Sequence, residues 1–252
     1  MRRIESREKR LNTLLSMGRL DFGSVYWYDS VGSTMEVGFE LPDAADRTII
    51  VADRQTRGRG RQGRRWYSHE RALLCSIVLT RFEIRLPYSM LAAYGVYRAF
   101  LRYTSSVRLK WINDVLWENG KKISGVIAEE RHGRTVIGIG ANLNSLDIHR
   151  ELEGTATSYR RETGSCIDLL LFLRDLLDEF FSILSDVDKR GIEVIMTEWE
   201  SDARIKGRIV RVVSGSKELL GTTIGIDRRT GALLLQTESG REQVFEGSLF
   251  YM

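Results

Sequence analysis

Two prolines and two cysteines are all that this chain of 252 residues contains. So little proline leaves no proline-rich linker, and any separate modules must pack tightly on one another. Cys75 and Cys166 stand far apart beside apolar residues and form no CxxC pair. That fits reduced thiols in or near a core, not a disulfide framework or a zinc site. The three histidines, His69, His132 and His149, are too scattered for a metal-ligand cluster. No apolar run approaches ~18 residues, which argues against a transmembrane helix. The opening MRRIESREKR is too charged for the apolar core of a secretory leader. The expectation is a cytoplasmic protein that makes no use of a membrane.

Ample apolar residues are present: 42% of the chain is hydrophobic and 29% charged, enough to bury a core. The length suits one large domain, or a large and a small one. Net charge is +4, yet the six arginines of Arg54–Arg65 alone supply +6, so the remainder is acidic. A general nucleic-acid binder spreads positive charge over a face; here it is confined to one stretch.

Residues 1–24 read as a helical extension, with Leu11, Leu14, Leu15 and Met17 as its apolar stripe. One helix is too little for a helix-turn-helix module, so no operator DNA binding is expected. Residues 25–204 carry strand-like runs at 47–53, 73–80, 107–112, 123–130 and 134–144. A helix over 89–105 covers one face of their sheet. The longest helix starts near residue 165, where Ser165 and Asp168 fit a capping box, and Gly191 lies just past its end. Ile192, Ile195, Met196 and Trp199 line a shorter helix. Residues 205–252 alternate short strands with the turns SGS, DRRTG and ESG, as a small barrel or sandwich does. The fold class expected is α+β.

The stretch RQTRGRGRQGRRW, Arg54 to Trp66, interleaves arginine with glycine. Glycine permits close backbone approach and positive φ, and consecutive free N–H groups can cradle an anion. Guanidinium groups add bidentate phosphate recognition. Taken alone, the stretch fits a solvated basic loop or a nucleic-acid arm as well as a phosphate clamp. Three further segments shift the balance toward a nucleotide pocket. KWIND sets Asn113 and Asp114 at a strand end, where a carboxylate can hold Mg²⁺ through water. KKISGVIAEE places Lys122 before a strand, with Gly125 three positions on, where bulk is excluded. GIGANLN puts the Asn142 amide at the next strand's end, usable for a purine edge. A turn residue, a solvated lysine and a strand cap are the plain alternatives for Asp114, Lys122 and Asn142.

Together GRGRQGRRW, KWIND, GKKISGVIAEE and GIGANLN, with DSVGSTM upstream, resemble the biotin–protein ligase family in order and spacing from about Val25 onward. The resemblance implies a mixed β-sheet catalytic domain flanked by helices and a small C-terminal SH3-like β-barrel. It implies that biotin is activated with ATP and Mg²⁺ to biotinyl-5′-AMP, then transferred to a lysine of a biotin carboxyl carrier domain. Ser33, Thr34 and Met35 would face the biotin ring, with Gln55 beside it. Arg59, Gly60 and Arg61 would close over biotin and the adenylate phosphate, near Arg64, and Trp66 would wall the adenine. Asn113 would serve ATP and Asp114 the Mg²⁺; Lys122 would contact the biotin carboxylate and later the acyl adenylate, Gly125 would belong to the binding residues, and Asn142 would read the adenine. Lys122, Arg61 and Asp114 would be the catalytic groups. Arg54, Arg57 and Arg65 would form a solvated cationic fringe. The family pattern more often has asparagine at Met35, proline at Ile112 and alanine at Arg57; none of these departures removes a catalytic group. The resemblance leaves a homodimer and a monomer both open. Lipoate ligases, which usually carry a GGG motif missing here, and octanoyltransferases, which need a nucleophilic cysteine, are the rival acyl-transfer readings. A non-enzymatic nucleic-acid module is the rival of another class.

Overall fold

The structure is a computed structural model describing residues 1–17, 21–81 and 88–252; residues 18–20 of the expected N-terminal segment lie outside the described residues. Seven strands form the larger sheet: β1 (Val25–Tyr28), β2 (Thr48–Ala52), β3 (Leu73–Leu79), β4 (Val107–Lys110), β5 (Asp114–Trp117), β6 (Lys122–Arg131) and β7 (Arg134–Ala141). Their spatial order is β1-β2-β3-β7-β6-β5-β4. Only β1 and β2 run parallel, so the sheet is mixed. Every residue of β2 and β3 is buried, because both faces of these central strands are covered. Their side chains alternate accordingly. Ile49, Val51, Cys75 and Ile77 enter the main core, whereas Ile50, Ala52 and Val78 face the smaller cluster with Met35 and Val37.

Among the described residues six α-helices pack around this sheet: α1 (Glu5–Met17), α2 (Thr34–Glu40), α3 (Tyr88–Leu101), α4 (Tyr159–Thr163), α5 (Leu169–Arg190) and α6 (Ile192–Ala203). In α1, Leu11 and Leu15 are buried, but Met17, expected in the same stripe, is exposed. The segment around α1 covers the free edge of β1. Ile4 N donates to Trp27 O at 2.6 Å, and the buried Glu8 accepts from Trp27 N at 2.8 Å and from Arg3 Nη2 at 2.7 Å. An unpaired strand edge is thereby blunted. Helix α3 packs on α5 through Gly95, where a Cβ would lie 3.1 Å from Phe180 Cα. The start of α5 differs from the expected capping box: Asp168 itself is the N-cap and accepts from Leu170 N and Leu171 N. Ser165 lies outside the helix and has no part in the cap. At the far end, Gly191 adopts φ 83° with ψ 155°, an extended positive-φ conformation that suits glycine and ends the helix.

A second, antiparallel sheet of five strands follows: β8 (Ile209–Ser214), β9 (Lys217–Ile226), β10 (Leu233–Thr237), β11 (Gly240–Val244) and β12 (Ser248–Tyr251), ordered β11-β10-β9-β8-β12. Between β9 and β10, Asp227 Oδ1 accepts from Arg229 N and Thr230 N, fixing the DRRTG turn. Val210, Val212, Leu233, Leu235 and Leu249 join the same hydrophobic core as the larger sheet. Polar ties reinforce the junction. Trp111 Nε1 donates to Gly231 O at 2.9 Å, and the Glu200 carboxylate on α6 accepts from Ile226 N at 2.9 Å.

Candidate functional site

A cavity of about 560 Å³ opens between β5–β7, the glycine-arginine loop and β12, and every position singled out from the sequence as binding or catalytic lines it. Its floor is built of glycine, most stringently at Gly140. A Cβ on Gly140 would lie 2.3 Å from the Trp66 ring, and one on Gly138 would lie 2.6 Å from Met35 Sδ. At Gly125 a Cβ would lie 2.7 Å from Lys122 Nζ. Trp66 and Met35 therefore rest directly on strand backbone.

One end of the cavity is polar and ordered. Ser33 caps α2, its Oγ accepting from Met35 N at 3.3 Å. Thr34 donates from its N (2.7 Å) and Oγ1 (3.1 Å) to Gln55 Oε1, and Ser76 Oγ donates to Thr34 Oγ1 at 2.8 Å. These bonds fix the Gln55 amide and turn its Nε2 donors away from Thr34. Met35 is buried and supplies the apolar flank of this end.

The opposite end is cationic. Lys122 Nζ lies 2.6 Å from Asp114 Oδ1, an ion pair at the strand ends of β5 and β6. Arg61 Nη1 donates to Asn113 Oδ1 (3.1 Å) and Gly247 O (3.4 Å), and burial lowers its pKa from the ordinary guanidinium value. Arg64 Nη2 donates to Ser248 Oγ at 2.6 Å. Lys110, at the end of β4, has the Phe250 ring 5.6 Å from its Nζ and feels the Asp114 carboxylate without a direct ion pair among the described residues. Burial lowers the Lys110 pKa, so an anion arriving there meets a poorly solvated cation.

The loop itself departs from the sequence reading in several ways. Positive φ occurs at Gln62 and Gly63, not at Gly58 or Gly60. Gly58 is required for a different reason: a Cβ there would lie 2.6 Å from Trp66 O. Arg59 turns from the cationic end toward Glu36, with Nη2 and Oε1 2.6 Å apart. Of the expected fringe, Arg65 lines the cavity with its guanidinium 5.1 Å from the Tyr67 ring centre. Arg57 is exposed and packs over Gly32.

The two asparagines are less free than expected. Asn113 Nδ2 donates to Val126 O while its Oδ1 accepts from Arg61. Asn142 Nδ2 donates to Thr157 O at 3.0 Å, and its Oδ1 faces His69 Nδ1 at 3.3 Å. His69 Nε2 accepts from His149 N at 3.0 Å, which assigns the proton to Nδ1 and makes the imidazole neutral. Burial lowers its pKa further. His69, Lys110 and Gly247–Phe250 were not picked out as site residues from the sequence. Lys110 was within reach, as the first residue of KWIND; no local pattern marks the others, since long-range folding brings them in. Cys75 also lines the cavity, fully buried, with its thiol pushed up to about 12, whereas Cys166 is exposed, contrary to the expected core placement. Among the described residues no group of three or more histidine, cysteine or acidic side chains is placed to hold a metal ion.

Comparison with known proteins places this cavity in context. The model of the biotin/lipoate A/B protein ligase family matches residues 27–144. The bifunctional ligase/repressor BirA of Bacillus spizizenii is 32% identical over 238 residues, covering 88% of this chain and 72% of the relative. The biotin–[acetyl-CoA-carboxylase] ligase of Paracoccus denitrificans is 30% identical over 224 residues, with 83% and 92% covered. Among solved structures, the biotin protein ligase of Aquifex aeolicus in complex with biotin and ATP superposes with a TM-score of 0.81 at 31% identity, covering 90% of this chain and 98% of that one. The relatives, the family model and the superposed structure agree, and the chain belongs to the biotin/lipoate A/B protein ligase family, among its biotin–protein ligases.

Proposed function

We propose that the protein condenses the carboxylate of biotin with ATP, releasing pyrophosphate, and passes the biotinyl group from biotinyl-5′-AMP to a lysine of a biotin carboxyl carrier domain. The observation that carries this reading is the convergence of the glycine-arginine loop, KWIND, Lys122 and the Ser33–Thr34–Gln55 group on one cavity. Its polar end suits a cyclic urea, which both donates and accepts: the Gln55 Nε2 donors and the Ser33 hydroxyl are the partners offered. Trp66 over the glycine floor suits an apolar tail. Its cationic end suits a carboxylate meeting the α-phosphate.

In the first step a biotin carboxylate oxygen attacks the α-phosphorus, and the bond from phosphorus to the β-phosphate bridging oxygen breaks. Two anions must approach, so fixed cations lower the barrier. Lys122 would hold the biotin carboxylate, while Arg61 and Lys110 would face the phosphates. Asp114, paired with Lys122, keeps that ammonium aimed across the strand ends. One carboxylate together with substrate phosphates is a usual Mg²⁺ arrangement, so Asp114 fits a metal that arrives with ATP; Mg²⁺ there would neutralise phosphate charge. Asn142, oriented by His69 and Thr157, would present its remaining Nδ2 hydrogen and Oδ1 lone pair to the adenine. The loop over Trp66 would shield the water-labile adenylate. In the second step the acceptor amine attacks the acyl carbon and AMP leaves.

Residues 25–204 would hold the ligase machinery, and residues 205–252 an SH3-like module lending Gly247–Phe250 to the cavity mouth. A reducing cytoplasm suits the two free thiols. Acyl transfer through a cysteine is disfavoured by the Cys75 thiol, buried and held protonated. Protein incubated with Mg²⁺-ATP and biotin, lipoate or octanoate tests the reading by mass spectrometry. Biotinyl-5′-AMP alone is expected; lipoyl- or octanoyl-AMP in its place would move the chain to the rival activity.

A further inference from the structure

Arg59 is a loop arginine that does not serve the cationic end. Its Nη2 lies 2.6 Å from Glu36 Oε1 on α2 and 3.4 Å from Glu129 Oε2 on β6. A second guanidinium closes the square: Arg131 Nη2 is 2.7 Å from Glu129 Oε2, and its Nη1 is 3.4 Å from Glu36 Oε2. Arg131 is itself seated over the Phe39 ring of α2, 4.2 Å from its centre. Two cations thus share two carboxylates, and three of the four members sit on regular elements. Arg59 alone belongs to the loop. Neither Glu36 nor Glu129 lines the cavity.

The loop is pinned on its other flank by Arg61 to Asn113 and Gly247, and by Arg64 to Ser248. Between the flanks, Gly60 N donates to Arg64 O at 2.7 Å and Trp66 N to Gly58 O at 3.0 Å, so the loop is folded on itself as one unit. Releasing the Arg59 flank would let that unit hinge about the Arg61 flank. The anchor is also well placed to sense ligand, since α2 carries Ser33–Met35 at its start and Glu36 next to them.

We propose that Arg59, Glu36, Glu129 and Arg131 form a latch that holds the glycine-arginine loop over the cavity, making Arg59 a positioning residue whose ion pairs set how long the adenylate is retained. The retention part rests on the ligase reading; the latch itself does not. Each pair is about one-third exposed, and exposed pairs are individually weak, so the latch is easily opened. That suits a loop that must admit an acceptor lysine.

The test is the double variant Glu36→Gln with Glu129→Gln, which removes both charges without touching the cavity wall. In the protein alone, hydrogen exchange across residues 57–66 is expected to speed about three- to ten-fold, with β6 and β7 beyond residue 129 unchanged. Raising salt from about 0.05 to about 0.5 M should speed the same residues in the parent protein and not in the variant. Biotinyl-5′-AMP formed in situ should dissociate faster by a similar factor, with its single-turnover rate of formation retained. Parental exchange rates at 57–66 in the variant would overturn the latch, and a loosened loop with unchanged adenylate dissociation would overturn its role in retention. If no biotinyl-5′-AMP forms in the parent protein, the ligase reading falls, and the exchange comparison still decides the latch.

Discussion

The cavity depends on residues that are small or fixed for stated reasons. Gly140 lies under the Trp66 ring with no room for a Cβ. Gly140→Ala should displace Trp66 and cost about 1–3 kcal/mol, read as a lower urea midpoint with weakened biotin binding in calorimetry. Lys122 is the cation proposed to hold the reacting carboxylate. Lys122→Ala should slow pyrophosphate release by roughly 10²–10³-fold while thermal unfolding stays near the parent value. His69 is neutral and bonded at both ring nitrogens, and burial lowers its pKa from the ordinary value of 6.5. The unfolded chain takes up a proton near that value that the folded chain resists. Stability should therefore be full above about pH 6.5 and fall as pH drops below it. Urea unfolding between about pH 7.5 and pH 5.5 checks this, and His69→Gln should flatten the slope. At this scale the sequence named fourteen cavity positions because each lies in a short motif. It missed that the Asn113 and Asn142 amides are engaged by protein partners, since His69 and Arg61 reach them across more than fifty residues of chain.

Elements were legible where periodicity was long and obscure where it was short. The all-buried runs of β2 and β3, and α5 with its apolar stripe and Gly191 stop, follow directly from pattern. Strand β5 was missed because VLW after KWIND is too short to show a period. The preceding strand ends at Lys110, two residues earlier than expected, because Trp111–Asn113 form the turn into β5. The capping pattern at α5 pointed to Ser165, but Asp168 is the residue whose carboxylate meets two free N–H groups. Asp168→Ala should cost about 1 kcal/mol, visible as a lower urea midpoint with activity intact. In the loop, Arg61 joins Asn113 to Gly247 at the cationic end and is proposed to face the phosphates. Arg61→Ala should speed dissociation of biotinyl-5′-AMP about ten-fold or more, measured by chase with unlabelled biotin.

The whole molecule brings two sheets to one core, and the cavity mouth draws on both. The sequence marked the change of texture near residue 205 and the lack of a linker, which together imply tight packing. It gave no sign that Ser248 and Phe250 reach the arginine loop and Lys110, because such contacts depend on how the two sheets dock. The docking matters to the proposed chemistry, since cations from the loop and from β4 are held partly by the second sheet. The most direct measurement mixes the protein with biotin, Mg²⁺-ATP and a biotin carboxyl carrier domain, following pyrophosphate and carrier mass together. Biotin-dependent pyrophosphate release and a single biotinyl addition on the carrier lysine are predicted, while no release and an unmodified carrier would contradict the assignment.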